Sequence, residues 1–216
     1  MNLKKPAIII LLTIVLLSFI IGIYFYQSMP EVMASHWNMN GLVDGYTSKA
    51  VALFIMPAIS IIIFAIYLVI PALEPLKKNL DKFQRYFDCF IIIILLFLLY
   101  LYILTILWNL GILFNMNRFI APAFAAIFFY AGVLISKTKR NWFIGIRTPW
   151  TLSSDSVWNK THKLGGALFK ICGLFALLGV IFYKAAIFLI LVPVLLSTII
   201  VIVYSYKLFR IEKNKK

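Results

Sequence analysis

Acidic residues are scarce in this chain: seven Asp and Glu stand against 21 Lys and Arg in 216 residues, and they are scattered. The chain also lacks a G-x-S-x-G elbow, an H-E-x-x-H pair and a phosphate-binding Gly-Lys loop. No constellation for acid–base, nucleophilic or metal-assisted chemistry is left, and no enzyme is expected. Cysteine is rarer still. Cys89 and Cys172 both fall inside apolar runs, where a disulfide is not expected. The two histidines, His36 and His162, fall short of the usual three or four metal ligands. Glu31, His36 and Asp44 share one loop and could form part of a metal site, but a lone His beside Trp37 fits an interface anchor or hydrogen-bonding group better. His162, between Lys160 and Lys163, reads as solvated or facing headgroups. No metal and no cofactor are expected.

What the chain has in excess is apolar residues. They make up 63% of it, well above the roughly 45–50% of a soluble domain. Apolar runs extend from Pro6 to Tyr26, Ala50 to Ile70, Phe87 to Leu110, Arg118 to Ser136, Gly166 to Tyr183 and Ala185 to Tyr206, each near the ~20 residues that cross a bilayer. The first run is too long for a signal-peptide h-region and reaches Tyr24 and Tyr26 at an interface, so it reads as an uncleaved span. The last two runs meet at Lys184, the tip of a tight hairpin.

Basic residues orient these spans, because Lys and Arg in short connections stay on the cytoplasmic side. Lys4 and Lys5, Lys77 to Arg85, Lys137 to Lys163, and Lys207 to Lys216 mark one side, whereas Lys49, Arg118 and Lys184 fall on the other. Both termini are therefore expected inside, and the formal charge of +14 is a topology signal with attraction to anionic lipid. Nucleic acid is not an expected partner. The fold expected is an all-α polytopic membrane protein of about six transmembrane helices, N-in and C-in, in the cell membrane. It divides into a two-span unit over residues 6–71 and a four-span unit over 86–216. Asp88 and Lys170 enter the runs from the inner side and form a candidate intramembrane pair.

Two polar segments carry specific information. The outer loop, QSMPEVMASHWNMNGLVDGYTSK from Gln27 to Lys49, is punctuated by Pro30, the His36-Trp37-Asn38 triplet, Gly41, Asp44-Gly45 and Lys49. Those turn formers predict a folded loop on the membrane surface. The inner loop, from Arg140 to Gly166, holds Asn141, Trp142, Gly145, a Pro-locked turn at Arg147-Thr148-Pro149, Trp150, Trp158 and His162. Ser153 or Ser154 is a cap, Asp155 a first-turn acid and Gly165 a C-terminal signal, which predicts an amphipathic helix over about 155–164 lying flat in the inner interface. Arg147 is a rigidly placed fork donor, suited to lipid phosphate, a carboxylate or backbone carbonyls.

The run GIRTPWTL from Gly145 to Leu152, followed by a Trp-containing helix and Gly165-Gly166, resembles the SdpI family of bacterial multipass membrane proteins. The order Pro30, His36-Trp37-Asn38, Gly41, Asp44-Gly45, Ser48-Lys49 resembles a short domain of unknown function that often precedes the SdpI-type region. The resemblance implies protection from a secreted toxin, since the type member confers immunity to the secreted toxin SDP. It also implies possible coupling to a cytoplasmic transcriptional repressor as partner. The outer-loop residues are then candidates for toxin binding and the inner-loop residues for the second motif. The alternative is a small transporter or channel-like protein for an amphipathic substrate, against which the paucity of intramembrane charge argues.

Overall fold

The computed structural model describes residues 5–214, so Lys4, Lys215 and Lys216 of the basic termini lie outside the described residues. Helix α1 spans Lys5–Phe25 and is followed by strands β1 (Val32–Trp37) and β2 (Val43–Ser48). Then come α2 (Lys49–Leu73), α3 (Lys77–Asp81), α4 (Gln84–Asn109), α5 (Met116–Lys137), α6 (Pro149–Ser153), α7 (Asp155–Leu178) and α8 (Ala186–Lys213). Among the described residues six helices are long and apolar enough to cross a membrane: α1, α2, α4, α5, α7 and α8. The chain is an all-α polytopic membrane protein whose only sheet, among the described residues, is the outer hairpin.

Ile9, Ile20, Ile23, Ile62, Leu195 and Ile199 point outward, each more than half exposed. Their exposure fits a bundle whose solvent is hydrocarbon, where apolar side chains gain little by facing inward and helices associate through close packing. One end of the core joins Leu11 and Ile14 of α1 to Tyr67 of α2, Phe83, Phe87 and Leu95 around α4, and Leu134 of α5. At the other end Met29 and Met33 pack under the hairpin with Leu53, Tyr102 and Ile106.

The tightest seam is α5 on α7. A Cβ added at Gly166 would stand 2.7 Å from the Gly132 carbonyl oxygen, and one at Gly173 would stand 2.8 Å from that of Ala125. The two backbones touch, as small residues allow in membranes. This corrects the expected helix over 155–164. Gly165 and Gly166 do not end it: α7 runs unbroken from Asp155 to Leu178, because Gly166 is used for close approach to α5 and Gly165 makes room for the Ile146 side chain. The segment 155–164 is the buried first part of a span, with Val157, Trp158, Thr161 and His162 inward, and does not lie flat in the interface.

Two polar layers cap the bundle. At the end bearing the hairpin, Asn115 and Asn117 donate to the carbonyls of Asn40 and Met39, and Arg118 Nε donates to the carbonyl of Val180 in the α7–α8 connection. At the opposite end, Asn79 Nδ2 donates to the Arg140 carbonyl and Ser154 Oγ to Glu212 Oε2, so the last turn of α8 joins the inner loop. Lys49, Arg118 and Lys184 sit at the hairpin end and the other loop cations at the opposite one. The cations that the sequence assigned to one side thus share one end of the bundle.

Candidate functional site

The outer loop folds as an antiparallel hairpin. Val32 pairs with Ser48, Met33 with Thr47 and Ala34 with Tyr46, and an irregularity then shifts His36 opposite Gly45 and Trp37 opposite Val43. Asn38 builds the turn: its Oδ1 accepts from the backbone N–H of Asn40 at 2.9 Å and of Leu42 at 3.1 Å. Gly41 takes φ +77°, where an L side chain is strained, and a Cβ there would also strike Asn115. Gly45 is needed for a different reason, since its Cβ would lie 2.8 Å from that of His36. His36 Nδ1 meets Asp44 Oδ1 across the strands, both groups open to solvent. Lys49 pairs with Glu31 at 2.6 Å and lies over the Tyr26 ring, fastening the hairpin base to the start of α2. Pro30 is exposed in the link leading into β1. Trp37 meets the ring of Trp108 on α4 edge-on, with centroids 5.7 Å apart.

Residues that the sequence did not single out hold this hairpin down. Asn109, at the last turn of α4, accepts the Ala34 N–H on Oδ1 and donates from Nδ2 to the Ala34 carbonyl, at 2.8 and 3.0 Å. It imitates a neighbouring strand and satisfies the edge of β1. Asn109, Asn115 and Asn117 cluster at the ends of two apolar runs, the one signal that could have found them. Among the described residues no group of three His, Cys, Asp and Glu gathers as a metal cage.

The inner loop is knotted by hydrogen bonds. Asn141, fully buried, accepts from the N–H groups of Phe143 and Ile144 and donates to the carbonyls of Lys139 and Ile144. Gly145 takes φ +120° and leaves room for the His162 ring, which a Cβ would approach to 2.5 Å. His162 Nε2 accepts the Ile146 N–H at 2.9 Å, and Nδ1 lies 2.8 Å from the Trp158 carbonyl oxygen. The imidazole therefore carries its hydrogen on Nδ1. Its ring stacks on Trp158 with centroids 3.9 Å apart, and Trp158 Nε1 donates to the Thr138 carbonyl. His162 is 1% exposed, which corrects the reading of it as solvated. It lies one turn beyond Trp158 on the inward face of α7, away from its lysine neighbours.

Arg147 Nη1 donates to the Trp142 carbonyl, so the fork closes its own loop and remains exposed. Thr148 and Thr151 form a reciprocal capping box with Pro149 at the first helical position of α6. Thr148 Oγ1 also meets Ser205 Oγ, and Trp150 packs on Tyr206, both on α8. Glu74, fully buried, accepts the Trp142 N–H on Oε2 and the Leu76 N–H on Oε1. Glu74 was missed because it looked like an ordinary acid ending the second run. Arg140 Nε stands 2.9 Å from Asp155 Oδ1, beside the first turn of α7. The motif thus ties α2, α5, α7 and α8 together.

The expected Asp88–Lys170 pair is not among the ion pairs between described residues. Asp88 accepts from the Tyr67 hydroxyl of α2 at 3.0 Å, whereas the Lys170 stem lies along α5 at Gly132. Close packing of α7 on α5 fixes Lys170 there.

Residues 137–205 match the SdpI/YfhL protein family, and residues 13–61 match a Domain of unknown function (DUF1648). The immunity protein SdpI of Bacillus subtilis (strain 168) is 29% identical over 203 residues, which cover 94% of this chain and 95% of that protein. The chain is thus similar to SdpI-type membrane proteins. No solved structure matches it. The SdpI-family match starts at the last residue of α5 and takes in the inner knot, α7 and most of α8. The DUF1648 match takes in most of α1, the hairpin and the first half of α2.

Proposed function

We propose that this chain is a membrane immunity protein, without enzymatic activity, that protects the cell from a secreted peptide or protein toxin met at the outer hairpin. The observation that carries this reading is similarity to an immunity protein along almost the whole of both chains, hairpin and inner knot included. The geometry supports the outer end as the contact surface. The hairpin is pinned by Asn109, Asn115 and Asn117, yet it presents Val32, Met39, Leu42 and Tyr46, each more than half exposed. Exposed apolar groups on a fixed scaffold are what an amphipathic agent arriving from outside would meet. Signalling through a cytoplasmic transcriptional repressor is the second part of the reading. Its support is local: Trp142 and Arg147 stay exposed on a loop otherwise locked into the bundle.

Transport of an amphipathic substrate has less support. The described spans hold few charges, and Asp88, one of them, is committed to Tyr67. The deciding experiment is growth of a toxin-sensitive strain with and without this gene, challenged with purified SDP and other secreted toxins. Protection that requires the gene, with no change in toxin concentration in the medium, is the expected result. Survival that does not depend on the gene would refute immunity, and gene-dependent movement of toxin across vesicles would favour transport.

A further inference from the structure

The hairpin has two outer edges, and the protein closes one of them and leaves the other open. On β1 both backbone groups of Ala34 turn away from β2, since Asn109 takes its N–H and its carbonyl. At the base the Lys49 N–H donates to the Glu31 carbonyl at 2.9 Å. Bonded and non-bonded pairs alternate along an antiparallel ladder. Glu31 with Lys49 and Met33 with Thr47 are therefore the bonded pairs, and Val32 with Ser48 and Ala34 with Tyr46 the non-bonded ones. It follows that the Tyr46 N–H and carbonyl and the Ser48 N–H point out of the free side of β2, as the groups of Ala34 do on β1. Among the described residues no side chain meets them there as Asn109 meets Ala34. The edge is accessible: Tyr46 is 63% exposed, and Asp44 and Ser48 are exposed with it.

We infer that the open edge of β2 is a docking site for an extended segment of the toxin, which joins the hairpin as a third strand and bonds through its backbone to Tyr46 and Ser48. The inference rests on the immunity reading and names the way in which this protein holds its toxin. A strand edge presents a donor and an acceptor on the same residue, which another extended backbone complements and a phosphate, having no donor for the Tyr46 carbonyl, does not. Proteins blunt such edges with Pro, with charge or with a covering element. The β1 edge is covered by Asn109, whereas β2 carries no Pro and its one charged side chain, Asp44, is held by His36. The open edge is also fixed in advance. Asn38 sets the turn, the Glu31–Lys49 pair the base and Asn109 the far strand, so little ordering is left to oppose binding. Val32 and Tyr46, diagonal neighbours on the outward face and each more than half exposed, give the side chains of an added strand an apolar surface to cover.

The test separates backbone from side chain by comparing Pro with Ala at the same position, in the full-length protein in nanodiscs titrated with purified SDP peptide. Ser48 has φ −65° and its side chain makes no capping bond, so proline fits its backbone. Ser48→Pro removes the edge donor and sets a ring on the edge without touching a bond to β1, and Ser48→Ala removes the side chain alone. Tyr46→Pro and Tyr46→Ala repeat the comparison two residues away. At each position the Pro variant is expected to bind about tenfold more weakly than the Ala variant, with toxin survival in the same order at matched membrane levels. Protection of the Met33 and Thr47 amides from hydrogen exchange, kept in Ser48→Pro, shows that the loss of binding is not a loss of the hairpin. Equal affinities for Pro and Ala at both positions overturn the edge assignment and leave immunity standing. So does a wild type that protects cells without binding the peptide. With Cys89 and Cys172 replaced, a Tyr46→Cys protein that cross-links to its own kind undiminished by SDP makes the occupant a second copy and overturns the toxin segment. A wild type that neither binds nor protects removes the immunity reading and this inference together.

Discussion

His162 shows how one buried side chain can set the geometry of a whole loop. It is the acceptor for Ile146 N–H, its ring occupies the space that Gly145 leaves open, and its Nδ1 hydrogen goes to the carbonyl one turn back along α7. Replacing it with Ala leaves the Ile146 N–H without an acceptor, at about 1–3 kcal/mol, and removes the stack on Trp158. His162→Ala is expected to lower the thermal unfolding midpoint in detergent, and His162→Gln, whose amide oxygen reaches for the same N–H, to recover part of the loss. Equal midpoints for wild type and His162→Ala would show that the loop does not depend on this bond. The sequence pointed the other way because Lys160 and Lys163 flank the residue. The better guide was spacing, since 158 and 162 stand four apart on one helix face. Asn141 and Gly145 stood in the candidate inner motif, but the turn was expected at Arg147-Thr148-Pro149 rather than around them. Glu74 was not legible, because its partner, the Trp142 N–H, lies 68 residues away.

Among the elements, the hairpin and α7 departed most from expectation. The outer loop was legible as folded through Asn38, Gly41 and Asp44-Gly45, but its strands were not. Period-two alternation fails in β1, where Met33 and Ala34 are both buried and the pairing slips between Ala34 and His36. Asn109 explains the adjacent burial, because a side chain from α4 takes the place of a third strand at Ala34. Asn109→Ala removes both bonds and should free the hairpin from the bundle without unfolding it. Hydrogen exchange is expected to rise by about tenfold or more at the amides of residues 32–37, from one or two lost bonds, while α5 and α7 keep their protection. Exchange that rises equally along α7 would mean that hairpin and bundle form one cooperative unit. For α7 the local signals of a helix end at Gly165-Gly166 were real, and contact with Gly132 outweighed them. Glycine in a span serves close packing as readily as it ends a helix, and sequence alone does not separate the two uses.

At the scale of the whole molecule, the spans were the most legible feature, since a bilayer demands long apolar helices whatever their tertiary partners. Which helices touch was not legible, because lipid-facing and helix-facing positions are both apolar and the α5–α7 seam is marked only by small residues. The two polar layers sort the connections into two ends. The hairpin, the α4–α5 turn and the α7–α8 connection are bonded to one another at one end, and the α2–α4 connection, the inner loop and the end of α8 at the other. Positive charge is concentrated in the second layer, so that layer is expected in the cytoplasm. Single cysteines at Asn40 and Ser153, both exposed, would report the two layers once Cys89 and Cys172 are replaced. In intact cells a membrane-impermeant maleimide is expected to label the Asn40→Cys protein and to reach Ser153→Cys only after permeabilisation. The reverse pattern would place the hairpin in the cytoplasm. A secreted toxin could then not meet it from outside, and the immunity surface would lose its argument.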